Sequence, residues 1–185
     1  MRNFDSVYLK IAEIWAQNSF ARRAKVGAII VKENRIISDG FNGTPVGFDN
    51  TCEEYHCRLL QDNVVECPVS TGTTIVNKLK ENTHAFYACS GCNCSELVTK
   101  KEVLHAEANA IMKLCQSTQS SEGATMYITL SPCFNCAKLI IQAGIKRVVY
   151  KEEYRETAGL ELLKDAGIEL VHLTNCKDYD NRRVI

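Results

Sequence analysis

ATMYITLSPCFNCAKLIIQAG, residues 124–144, is the stretch on which the reading of the fold turns. Its opening, ATMYITL, is β-branched and apolar and reads as a buried strand. Its close, FNCAKLIIQAG, reads as a helix that ends at Gly144. Between them, Ser131 is the expected helix N-cap and Pro132 falls in the first helical turn, where its missing N–H costs nothing. Cys133 and Cys136 then lie one turn apart on one face, beside the positive end of the helix. That setting favours the thiolate, the form that binds metal. Two thiolates make only half of a tetrahedral zinc set, so further ligands must come from elsewhere in the chain.

The sequence around this stretch is unevenly organised. DSVYLKIAEIWAQN places Val7, Ile11, Ile14 and Trp15 at helical spacing, with Asp5 or Ser6 as the cap. KVGAIIVKENRIISDGFNG reads as two strands joined by a tight turn at Glu33 and Asn34. Residues from about 49 to 103 break the pattern and hold six of the ten cysteines, which marks an insertion within a single domain spanning 1–185. Helical spacing resumes in LHAEANAIMKLC. A strand at 124–130, a helix at 133–143, a strand KRVVY, a helix TAGLELLKDAG and a last strand IELVHLT follow. A hairpin followed by alternating helices and strands predicts an α/β layer fold on a mixed sheet.

Composition narrows the chemistry. The chain has 185 residues, of which 45% are hydrophobic, enough to build one core. Its 22 basic and 22 acidic side chains cancel, which argues against a nucleic-acid-binding surface. No secretory segment, lipidation motif or bilayer-spanning apolar run is evident, so no membrane association and a cytoplasmic location are expected, in a host cytoplasm if the gene is phage-borne. Thiols there stay reduced, and ten cysteines point to metal rather than to a disulfide framework.

The missing ligand is sought in LHAEANA. His105 opens a helix and Glu107 follows two residues later. At a first helical turn both side chains can reach past the helix end. His105, Cys133 and Cys136 would give zinc three protein ligands and leave a fourth position for water, the layout of a catalytic rather than a structural site. Glu107 is then the proton shuttle. Taken singly, a His-Ala-Glu at a helix start or a lone Cys-x-x-Cys has commoner structural explanations. The combination H-x-E with P-C-x-x-C is far more specific and is the signature of zinc nucleobase deaminases.

VGAIIVKENRIISDGFNGTPVGF, HAEANAI and GATMYITLSPCFNCAKLIIQAGIKRVVY together resemble the deoxycytidylate (dCMP) deaminase family, in particular its phage and microbial members. The resemblance covers most of 6–48 and 104–175 and is patchy between them. It implies a cytidine-deaminase-like three-layer α/β/α sandwich with a five-stranded mixed sheet. It also implies hydrolysis of dCMP to dUMP and ammonia, which feeds dTMP synthesis, with zinc generating the nucleophile and Glu107 carrying protons. By the same resemblance Asn42 bonds the deoxyribose, Ala106 and Ser131 hold the pyrimidine edge, and Tyr154 lies near the ring or the phosphate. Arg22, Arg23 and Lys25 are candidate phosphate contacts, or simply a solvated basic turn. The family further implies a homohexamer, activation by dCTP with Mg²⁺ and inhibition by dTTP. Lys25, Asn42 and Gly43 are the candidate effector contacts, because they join two neighbouring strand ends.

The insertion suggests a second metal. CEEYHC and HAFYACSGCNC supply many donors to a segment with little core of its own, and a closed zinc would stabilise it. The chosen ligands are Cys52, Cys57, Cys89 and Cys92, with Cys94, His56 and His84 as substitutes and Cys67 able to join. Cys115 and Cys176 read as packing or surface thiols. Two other functions remain open: a polynucleotide or tRNA deaminase on the same fold, and a non-catalytic module with both zinc sites closed.

Overall fold

The computed structural model of the chain describes residues 4–57 and 95–173. Its elements run α1 (Asp5–Ala16), β1 (Gly27–Lys32), β2 (Arg35–Phe41), β3 (Glu53–Cys57), β4 (Ser95–Thr99), α2 (Ala106–Leu114), β5 (Thr125–Leu130), α3 (Phe134–Gln142), β6 (Arg147–Glu152), α4 (Ala158–Asp165) and β7 (Glu169–His172). Five strands form one sheet in the order β2-β1-β5-β6-β7. β1 pairs antiparallel with both β2 and β5, while β5–β6 and β6–β7 are parallel. The sheet is therefore mixed, as expected. β3 and β4, the roots of the cysteine-rich segment, pair antiparallel in a separate two-stranded sheet.

Strand alternation divides the core between the two faces of the large sheet. Ala28, Ile30, Met126, Ile128 and Val148 pack against Ala106 and Ala110 of α2, Ala137 and Ile140 of α3, and Leu163 of α4. The residues between them, Ile29, Val31, Tyr127 and Val149, pack against Leu9 and Ala12 of α1. One helix on one face and three on the other make the three-layer α/β/α sandwich. The β1–β2 turn sits at Glu33 and Asn34, with φ of 51° and 61°, the two left-handed positions that a tight hairpin of this hand requires.

Two sequence expectations change. The inward stripe of α1 is Leu9, Ala12 and Ala16, while Ile14 is 62% exposed. The reason is the close approach of β1, since a Cβ on Gly27 would run into the Ala12 carbonyl oxygen. Only small residues suit that contact, so alanines face the sheet where larger apolar side chains read as the obvious stripe. The cap of α1 is Phe4 rather than Asp5 or Ser6. Asp5 turns inward instead, where Arg147 Nη1 and Nη2 donate to its two oxygens at 2.8 and 2.7 Å and Tyr127 Oη donates at 2.8 Å.

Candidate active site

α3 begins at Phe134, and its N-cap is Cys133 rather than Ser131. Ser131 still belongs to the strand register. Its N–H donates to the Glu152 carbonyl at 2.8 Å, and its hydroxyl accepts the Tyr154 N–H at 2.8 Å. Pro132 accordingly lies ahead of the helix. The consequence is chemical: a thiol stands where a capping oxygen usually does, at the end of α3 rich in unpaired N–H groups. α2 repeats the arrangement, with His105 as its extended N-cap and no side-chain capping bond. Two helix N-termini thus present a His and a Cys to the same point, and Cys136 joins them from the first turn of α3.

His105 Nδ1 lies 3.5 Å from Cys133 Sγ and 3.4 Å from Cys136 Sγ. The three ligand atoms all fall within 4.8 Å of one another. Tetrahedral zinc, with Zn–S of about 2.3 Å and Zn–N of about 2.0–2.1 Å, separates sulfur and nitrogen by roughly 3.6 Å. The spacing and the soft S₂N donor set both fit that ion. Among the described residues this is the group able to hold a metal. Its electrostatics agree. Hydrogen bonds from the Cys136 thiol and from His105 hold the Cys133 thiol down to about 3, while the bond to Cys133 and then burial push the Cys136 thiol up. The bond to Cys133 raises His105. One thiolate is already favoured without metal, and binding of a dication releases the remaining proton.

Glu107 follows on the first turn of α2 and is only 3% exposed. Burial pushes its carboxyl above the ordinary carboxylate value, with His105 and the sulfurs of Cys133 and Cys136 as its charged and polar surroundings. It reaches a cavity of about 250 Å³ that Ala106, Ser131, Cys133 and Tyr154 also line. A buried acid with a raised pKa, facing a cavity beside a metal-ligand set, is what proton transfer at the metal requires.

Loop residues supply another part of the lining. Asn42 lines the cavity and is fastened by its amide: Val26 N–H donates to Oδ1 at 2.8 Å, and Nδ2 donates to the Ala24 carbonyl at 2.9 Å. One lone pair and one N–H remain on that amide. Gly43 exchanges main-chain hydrogen bonds with Leu104, which ties this loop directly to the residue before His105. Of the three basic candidates, Arg23 lines the cavity, whereas Arg22 and Lys25 lie off its wall. Lys25 Nζ donates to the Gln17 carbonyl at 3.4 Å.

Glu53, Thr99 and Arg155 also line the cavity and were not predicted from the sequence. Glu53 was hidden inside a segment read for its cysteines, and Arg155 in a run of charge after β6. Cys52 is buried, with its thiol 3.5 Å from the Asn50 carbonyl. Cys89 and Cys92, like Cys67, Cys94, His84 and Cys176, lie outside the described residues, as do the side chains of His56 and Cys57. Cys115 is an exposed thiol at the end of α2. No described helix is long and apolar enough to cross a membrane.

Comparison with known proteins agrees with this geometry. Residues 2–152 match the family described as the cytidine and deoxycytidylate deaminase zinc-binding region. The deoxycytidylate deaminase of enterobacteria phage T4 is 39% identical over 183 residues, covering 91% of this chain and 89% of the phage protein. That of mycobacterium phage D29 is 32% identical over 151 residues, covering 82% and 96%. The crystal structure of dCMP deaminase from cyanophage S-TIM5 in complex with dCMP and dUMP superposes with a TM-score of 0.67 at 34% identity, covering 94% of this chain and 99% of that one. With a His and two cysteines placed to hold a metal, a buried acid and relatives of this length and identity, the chain is an enzyme of the cytidine and deoxycytidylate deaminase family, on its deoxycytidylate branch.

Proposed function

We propose that the protein catalyses hydrolytic deamination of dCMP to dUMP and ammonia. The observation that carries this reading is the convergence of His105, Cys133 and Cys136 beside buried Glu107 at the wall of one cavity. The choice of base and sugar is supported by the likeness to the cyanophage enzyme solved with dCMP and dUMP.

Each residue has a defined task in the reaction. His105, Cys133 and Cys136 would hold zinc, which would supply the Lewis acidity that makes water nucleophilic near neutral pH. Glu107 removes a proton from the attacking water and delivers it to N3 of the ring as the C4–O bond forms. It then passes the second water proton to the amine as the C4–N bond breaks, so that ammonia leaves and the C4 carbonyl remains. The Ala106 main chain and the peptide around Ser131 hold the pyrimidine edge, and Tyr154 lies by the ring or the phosphate. Asn42 offers its remaining lone pair and N–H to the deoxyribose. Arg23 and Arg155, which both line the cavity, meet the phosphate; Arg22 and Lys25, the other basic candidates, are not part of that lining.

Release of ammonia from dCMP, CMP, deoxycytidine and dCTP tests the assignment. Turnover is expected to favour dCMP strongly; equal turnover of deoxycytidine would remove the monophosphate from the reading.

Finer features rest on the family resemblance and, for the effector contacts and the second metal, on where the residues fall in the sequence. They are a homohexamer, activation by dCTP with Mg²⁺ and inhibition by dTTP with Lys25, Asn42 and Gly43 as the effector contacts, supply of dUMP for dTMP synthesis, and a structural zinc at Cys52, Cys57, Cys89 and Cys92. Metal analysis decides the last: two zinc ions per chain support it, and one zinc per folded chain refutes it.

A further inference from the structure

Glu53 presents an unusual arrangement. It is 3% exposed, lines the catalytic cavity, and takes its hydrogen bonds from main-chain amides. The Arg22 N–H donates to both carboxylate oxygens at 2.9 and 3.0 Å, and the Arg23 N–H donates to Oε1 at 3.1 Å. Arg22 and Arg23 are thirty or more residues away in sequence, in the irregular run between α1 and β1. The other end of Arg23 is held too, because its Nη1 donates to Thr99 Oγ1 at 3.3 Å. Glu53 and Thr99 are direct partners across the β3–β4 ladder. One cross-strand pair therefore grips a single arginine at both its main chain and its guanidinium.

The grip leaves the guanidinium useful. Arginine has five N–H donors, and the Thr99 bond uses one. Glu53 could pair with that guanidinium, but its oxygens are directed to the amides, so the positive charge stays available at the cavity wall. Arg155 stands on the same cavity, with its guanidinium 5.6 Å from the Tyr154 ring centroid. An arginine bonded at both its main chain and its guanidinium loses less conformational freedom on meeting an anion than one on a free loop.

We propose that Glu53 and Thr99 are positioning residues that hold Arg23 for the phosphate of the nucleotide. This rests on the deoxycytidylate reading above and makes the β3–β4 ladder the support for the arginine that reads the monophosphate. The role is separable from a purely structural one, because it acts only on ligands that carry phosphate.

The test compares wild type, Glu53→Gln, Arg23→Ala, the double variant and Thr99→Val, each after its melting curve confirms folding. The readouts are KM and kcat for dCMP and the inhibition constants of dUMP and deoxyuridine. Glu53→Gln is expected to raise KM for dCMP and weaken dUMP inhibition by about tenfold, with kcat changed by less than about threefold and deoxyuridine inhibition unaltered. On an Arg23→Ala background it should add less than about twofold, since residues that act through one another are not additive. Equal weakening of dUMP and deoxyuridine, or full additivity with Arg23→Ala, would overturn the proposal. If Glu53→Gln does not fold, Thr99→Val decides: a KM for dCMP raised about threefold supports the proposal, and an unchanged one overturns it. A wild-type protein inert toward dCMP would overturn the deaminase reading and this inference together. An active wild type with the wrong variant pattern overturns this inference alone.

Discussion

Two buried acids sit on opposite faces of the same sheet and have opposite fates. Asp5, the first residue of α1, is closed by a bidentate guanidinium from Arg147 and the hydroxyl of Tyr127. Glu107, on the α2 face, has two cysteine sulfurs and an imidazole for company, and burial raises its pKa. Both are desolvated, so burial alone does not tell them apart. The difference is satisfaction. An acid whose oxygens are filled by a fixed cation serves the scaffold, because moving its proton would break the network. An acid that borders a cavity without such a cation can exchange a proton at little structural cost. The contrast predicts that neutralising each acid damages a different property.

Glu107→Gln is expected to have the largest effect. Turnover should fall by about 10²–10⁴-fold or more, because an amide cannot shuttle protons, while zinc content and melting temperature stay near wild type. Near-normal turnover in the pure variant would remove Glu107 from the mechanism. His105→Ala should fail differently, through loss of the bound metal, which metal analysis separates from loss of the proton shuttle.

Asp5→Asn is the mirror image. It leaves the Arg147 guanidinium, whose side chain is 24% exposed, facing a neutral amide, and breaking one side of a buried pair costs up to about 3–5 kcal/mol. Glu169, whose Oε1 accepts from Arg147 Nε at 2.9 Å, should hold the loss toward the lower end. Denaturant melts should register the change, while kcat of the folded fraction remains that of wild type. A stable variant with impaired catalysis would erase the distinction between the two acids.

Gly159→Ala probes how tightly the metal end is built. A Cβ at this α4 position would run into the Pro132 carbonyl oxygen and come within 2.8 Å of the Cys133 carbonyl carbon. Overpacking of this kind costs about 1–3 kcal/mol. Here it should also displace Cys133 and weaken zinc retention against a chelator. Unchanged metal retention would mean that the cysteine is not positioned by α4.

The sequence disclosed these regions unequally. His105, Glu107, Cys133 and Cys136 were legible because metal chemistry restricts the residue types and because each pair lies within one helical turn of its partner. The strand–helix alternation was legible from period and from the glycine that ends α3, which has a φ of 72°. Asp5 was misread as a cap, since an acid at a helix start has that local explanation and its partner Arg147 lies 142 residues away. Ser131 was misread for a similar reason: its hydroxyl serves the Tyr154 amide, which no local pattern signals. Glu53 and Thr99 had no periodic signal at all. Their meaning comes from a cross-strand pairing and from an arginine in another part of the chain. Local chemistry is written locally, whereas long-range polar closure is not.

The smallest expected effect concerns Tyr127 at high pH. Burial, followed by its hydrogen bond to Asp5 and the negative charge there, raises the phenol above its ordinary value of 10.0. In the unfolded chain the same phenol ionises near that ordinary value. The folded state therefore keeps a proton that the unfolded state releases. The contribution is fully present below pH of about 10 and is lost as pH rises toward the folded value. Tyr127→Phe removes the titration together with a hydrogen bond to Asp5, a loss of about 1–2 kcal/mol in the neutral range. The melting temperatures of wild type and variant should accordingly differ most near neutrality and converge as pH rises past 10. Zinc content and dCMP turnover should be alike in the two proteins wherever both are folded, because Tyr127 faces the α1 side of the sheet. A gap that stays constant from pH 7 to about 11 would show that the phenol titrates alike in both states. The Tyr127 hydroxyl would then add little to the closure of Asp5, and the contrast with Glu107 would rest on the Arg147 guanidinium.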